Sequence, residues 1–154
     1  MALTTNKNFL SPIGFTLKID SNMANTEYFC TAANLPGISL SSIDTPYKGV
    51  NLGMTGDRLT FEDLSVTFNI TENLENYIEI YNWMVNVIQA KDAEGYKYDA
   101  RLLILTSHNN VAKEISFQEI FPTSLSSIEF NAQSGSLEYV QATVTFKYTL
   151  FEFS

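Results

Sequence analysis

One cysteine and one histidine in 154 residues leave little material for chemistry. Cys30 has no second cysteine to pair with, so an intrachain disulfide is excluded. A structural zinc site is excluded with it, since too few Cys and His ligands exist. Cys30 sits in the apolar stretch Tyr28-Phe29-Cys30-Thr31-Ala32 and reads as a small buried hydrophobe. Serine- or cysteine-based catalysis would need His108 as its base. That histidine lies in Ser107-His108-Asn109-Asn110, a turn, and no Gly-x-Ser-x-Gly accompanies it. Gly49, Gly53 and Gly56 lack the Gly-Lys-Ser/Thr ending of a phosphate loop and read as turn formers. Glu75 and Glu79, with Glu72 nearby, share a helical face at a spacing that fits a solvated surface better than a cation site. Asn69-Ile70-Thr71 matches a glycosylation sequon only by chance. No enzyme, cofactor or metal site is expected.

Positive charge is also scarce. Nine Lys and Arg face seventeen acids, for a net charge of −8. None of the nine forms the cluster that nucleic-acid binding requires to displace counterions. Residues 61–80 hold Glu62, Asp63, Glu72, Glu75 and Glu79 without one base. Such an excess serves solubility, and it equally suits a surface past which nucleic acid slides without sticking. No apolar run is long enough to cross a bilayer, and no secretion signal opens the chain, so manufacture and assembly in the cytoplasm are expected. Charged residues make up only 17%, whereas aromatics reach 13% and hydrophobic residues 45%. That balance excludes wholesale disorder and suits a chain that covers much of its surface with partners. The length suits a single domain over 1–154.

The chain is rich in alternation instead. Phe15, Leu17 and Ile19 alternate with polar residues as a half-buried strand. Ser21-Asn22-Met23-Ala24-Asn25 then reads as a turn, and Glu27 to Ala33 as a return strand, giving a hairpin. Leu35-Pro36-Gly37 ends it. Residues 38–58 carry Pro46 and three glycines, which forbid a long central strand but allow short strands near 38–43 and 47–52. This segment predicts a long projecting loop or hairpin. Its Ile38, Leu40, Ile43, Tyr47, Val50, Leu52 and Met54 are too apolar for solvent and are expected, with Asp57 and Arg58, at a subunit interface.

Leu64, Val66, Phe68 and Ile70 mark a strand. Asn73 is placed to cap a helix from Leu74 to about Ala90. That helix shows two apolar stripes. Leu74, Tyr77, Ile78, Tyr81, Met84, Val85 and Ile88 form one, and Ile80, Trp83 and Val87 the other, for which a cover from a loop or a neighbour is expected. Residues 91–99 read as a polar loop. Strands follow over 101–106 and 113–120, with Phe121-Pro122-Thr123 as a break. Leu137 to Phe153 reads as one long alternating strand. The pattern is that of an all-β antiparallel sandwich or barrel with one flanking helix.

The order of Leu35-Pro36-Gly37, then Gly56-Asp57-Arg58-x-Thr60-Phe61-x-Asp63, then strand, helix with Trp83, Lys113-Glu114-Ile115 and Phe121-Pro122-Thr123 resembles the tail tube proteins of contractile-tailed bacteriophages. Leu59 is an extra residue inside the Gly-Asp-Arg-Thr-Phe pattern, and the N-terminal arm is short. The resemblance implies a virion structural protein that forms sixfold rings, stacked inside a tail sheath and joined to a baseplate. Tape-measure protein and DNA would pass through without specific binding and without contact to a membrane. Thr67, Asn69, Thr143 and Thr145 are the expected lumen residues. A tail terminator, a baseplate–tube adaptor or the tube of a non-phage injection machine share these features. A small β-barrel ligand-binding module is the alternative from another class; bulky inward Phe68, Val144, Phe146 and Tyr148 speak for a filled interior.

Overall fold

The computed structural model describes residues 8–19, 26, 29–89, 97–133 and 139–154. Along the chain run β1 (Phe15–Ile19), β2 (Cys30–Ala33), β3 (Ile38–Tyr47), β4 (Val50–Phe61), β5 (Leu64–Asn69), α1 (Glu75–Gln89), β6 (Tyr98–Leu105), β7 (Val111–Leu125), β8 (Gln141–Lys147) and β9 (Leu150–Phe153). Seven strands join in the antiparallel order β1-β6-β7-β8-β5-β2, with β9 added to β7, while β3 and β4 pair only with each other.

Strand β7 builds the body by serving two layers. Its first part pairs with β6 on one side and β9 on the other, and from Phe121 onward it pairs with β8. The expected break at Phe121-Pro122-Thr123 is instead a corner. The register shifts between Pro122 and Ser124, and Glu119 takes a positive φ of 56° just before it. Such a bulge bends a strand without ending it. Leu17, Leu102, Ile115 and Phe117 of one layer then join Leu64, Val66, Phe68, Val144 and Phe146 of the other in a single core.

The predicted β1–β2 hairpin does not form. β1 pairs with β6, Leu17 opposite Leu102, and β2 pairs with β5, so the two lie at opposite ends of the sheet order. The turn at 21–25 and the loop at 91–96 lie outside the described residues. The single C-terminal strand is also corrected. Tyr148 and Thr149 separate β8 from β9, which turns back onto β7.

Helix α1 is entered through a turn at positive φ on Leu74 (57°), and its first turn is capped by Thr71 rather than Asn73. The Glu75 N–H donates to Thr71 Oγ1 at 3.0 Å. Of the two apolar stripes, the one carrying Ile80 and Trp83 enters the core, with Val87 packed at its margin. The Trp83 ring lies 5.1 Å from Tyr98 and 5.6 Å from Phe146, tilted against each. The cover expected from a loop or neighbour is therefore the chain's own sheet.

Candidate assembly surfaces

The β3–β4 hairpin closes on Lys48 and Gly49, both at positive φ (47° and 82°). A two-residue turn of this kind matches the right-handed twist of its flanking strands. Tyr47 pairs with Val50 across it, so the turn falls inside the second short strand expected (47–52), and the two strands observed run longer than predicted. At the base, the Glu62 N–H donates to the Gly37 carbonyl at 3.0 Å and the Gly37 N–H donates to Glu62 Oε2 at 3.2 Å. This clasp gives the Pro-Gly step its local role. A side chain at Gly37 would press on the Glu62 carboxylate.

Directly opposed residues of an antiparallel pair share one face of the ribbon. Tyr47–Val50, Thr45–Leu52 and Ile43–Met54 are such pairs, and between them fall Pro46–Asn51, Asp44–Gly53 and Ser42–Thr55. The outer hairpin therefore has one apolar and one polar face. Its apolar face is left exposed among the described residues: Ile43 is 60% exposed and Leu52 48%. Nearer the base, Ile38 and Leu40 face Phe61 and Leu59, and a register shift between Leu40 and Ser42 separates the two parts. Gly56 sits at this shift, where any side chain would collide with Ser41. Asp57 and Arg58 are exposed and only 4.0 Å apart as a neighbouring pair. Of the residues expected at an interface, the hairpin members are thus exposed, whereas Ile80 and Trp83 present no surface to a neighbour. Of the other predicted stripe the helix exposes Ile78, Tyr81 and Ile88, while Tyr77 and Met84 pack against the core.

A second surface lies on the outer side of β5 and β8. The register sets Thr67 opposite Thr143, Ser65 opposite Thr145 and Asn69 opposite Gln141. Thr67 Oγ1 and Thr143 Oγ1 are 3.1 Å apart, and Gln141 Nε2 donates to Asn69 Oδ1 at 3.1 Å. The ladder continues at its margins, where Thr31 Oγ1 donates to the Thr67 carbonyl and Thr123 Oγ1 to that of Thr145. The four lumen candidates, read from segments far apart in sequence, thus share one uncharged hydroxyl–amide face, with Lys147 at its end. Behind it the buried Asn76 donates from Nδ2 to the Asn69 carbonyl and fixes the strand end to α1.

His108 is exposed in its turn, and no cluster of metal-ligating side chains occurs among the described residues. Partial burial raises the Cys30 thiol to about 11, which keeps it protonated near neutral pH. Tyr148 is raised to about 12 by burial and by the nearby Asp63 and Glu62 carboxylates, and its hydroxyl donates to the Glu62 carbonyl at 2.7 Å. Phe68, Val144 and Phe146 are fully buried, so the interior is packed with side chains where a ligand-binding barrel would be hollow.

Known proteins share this layout. The tail tube terminator protein of Enterobacteria phage T4 is 26% identical over 127 residues, which covers 77% of this chain and 72% of the relative. The tube-terminating cap of the anti-feeding prophage superposes with a TM-score of 0.73 at 19% identity, covering 99% of this chain and 95% of the cap chain. A chain of the sheath–tube complex of an extracellular contractile injection system gives 0.72 at 16% identity and covers 99% of both chains. These superpositions concern the fold. Residues 3–154 match the family model described as phage tail tube protein, and with nearly the whole chain inside that match, this protein belongs to the phage tail tube family.

Proposed function

We propose that the chain forms sixfold rings that stack into the inner tube of a contractile tail, the conduit for genome delivery. The observation that carries this reading is the outer β3–β4 hairpin, whose apolar face is exposed and has no cover among the described residues. A two-stranded ribbon in water is marginal by itself and gains stability when such a face is buried. Heterologous contacts of this kind close rings in one direction and stay open along a stack. The uncharged face of β5 and β8 suits the lumen, because DNA and tape-measure protein would pass within a Debye length of about 8–10 Å. Replacing Thr67, Asn69, Thr143 and Thr145 with lysine should leave assembly intact and slow genome ejection, more so at low salt. Sheath and baseplate would surround the ring, in keeping with the sheath–tube origin of one structural relative.

The T4 relative favours a second position, a single ring that terminates the tube. Negative-stain microscopy of purified protein separates the two. Extended tubes support the stacked body, discrete rings that do not elongate support the terminator, and a monomer at high concentration under several salt conditions sinks both.

A further inference from the structure

Two exposed apolar surfaces among the described residues match each other. The apolar ribbon from Ile43 to Tyr47 spans four steps, about 14 Å at roughly 3.4 Å per residue. The exposed stripe of α1 runs from Ile78 through Tyr81 to Ile88, ten steps or about 15 Å at roughly 1.5 Å each. Ile78, Tyr81 and Ile88 repeat at helical spacing on one side, opposite the buried Ile80 and Trp83. Their charges are complementary as well. Lys48 tips the hairpin beside the Tyr47 ring, 5.3 Å from its centroid. Glu72 and Glu75 are exposed at the start of α1, and the helix contains no basic residue.

The geometry points to a specific pairing between copies: the apolar face of one hairpin lies along the outer stripe of α1 in a second copy. The Lys48 tip is directed toward Glu72 and Glu75, which sets Val50 near Ile78 and Met54 toward Ile88. Since one partner is a ribbon and the other a helix, the contact is head-to-tail: the first copy keeps its helix stripe free and the second its hairpin. With a free hairpin at one end and a free stripe at the other, the contact can propagate around a ring or along a stack. Burial of a half-exposed apolar ribbon on a half-exposed apolar stripe supplies the attraction, and the charged end selects the direction. The pairing rests on the ring reading above and names the two faces that would meet.

Single-cysteine variants in a Cys30→Ala background test it. Val50→Cys and Ile78→Cys proteins are mixed, assembled and treated with a short bismaleimide, beside a parallel mixture of Val50→Cys with Ile88→Cys. Melting curves confirm that each variant is folded. Efficient heterodimer bands from the first mixture and loss of them from the second are expected. The reverse result overturns the direction set by Lys48. Rings seen by microscopy with no cross-link in either mixture overturn the pairing while the ring reading stands. Absence of any ring, visible in the same grids, overturns both. Lys48→Glu should weaken assembly at least tenfold in the concentration required, and adding Glu75→Lys should restore most of it.

Discussion

The hairpin and the sheet body use similar residues to opposite ends. In β5 and β8, alternating Leu, Val, Phe and Ala side chains are driven fully out of water by a second layer and by Trp83. In β3 and β4, an equally regular alternation of Ile, Tyr, Val, Leu and Met faces solvent. The local pattern is the same, so alternation alone reports that a face needs burial. Where the burial happens is decided by topology. The body closes on itself because β7 turns a corner, and the hairpin has no such return.

The largest break of this contrast is Trp83→Ala. It should cost about 3–5 kcal/mol, because a ring packed on Tyr98 and Phe146 leaves a cavity. Denaturant unfolding of the unassembled chain measures it. Leu52→Ser is the counterpart on the hairpin and should shift monomer stability by no more than about 0.5 kcal/mol, while assembly is lost. Equal effects on unfolding from the two substitutions would erase the distinction. Intermediate in size is Thr71→Ala, which removes the hydroxyl that accepts from the Glu75 N–H and should cost about 1 kcal/mol. Asn73→Ala should cost far less, and the melting temperatures of the two variants compare them directly.

The smallest expected effect is on pH. Cys30 is raised from 9.0 to about 11 and Tyr148 from 10.0 to about 12, each chiefly by burial. The unfolded chain ionises these groups first, so their contribution is unchanged below about pH 9, and stability declines as pH climbs through that window toward 12. Below pH 8 the body should react slowly with maleimide at Cys30, whereas a cysteine placed at Leu52 should react at once. Similar labelling rates at both positions would show that Cys30 is not protected.

Strands with one buried face were legible because side-chain alternation is a local property. Leu64, Val66 and Phe68 read correctly, as did Ala142, Val144 and Phe146, and both predicted faces survive in the register of β5 and β8. The β1–β2 hairpin was misread because proximity in sequence stood in for pairing, whereas the partners of β1 and β2 are set by contacts distant in the chain. Pro46 and the glycines suggested short strands. A two-stranded ribbon has only edges, so Pro46 opposite Asn51 interrupts little. The buried stripe of α1 could not be chosen by periodicity, since both stripes are apolar and only the sheet beneath selects Trp83. The lumen candidates were named from two separate segments, but the Thr67–Thr143 contact that unites them has no signature in either.

The long-range pairing of β1 with β6 and of β5 with β8 also governs the order in which the chain becomes structured. Neighbours in the sheet lie far apart along the polypeptide, and such topologies are slow to fold. The β3–β4 ribbon, closed by Lys48 and Gly49, needs only adjacent residues, and hairpins form in about 1–10 μs. During synthesis, the ribbon can close before the residues of β6 and β8 have left the ribosome. An apolar ribbon would thus be displayed ahead of the domain that carries it, the kind of transient exposure that favours aggregation. The yield of folded protein should therefore depend on how quickly the last third of the chain arrives.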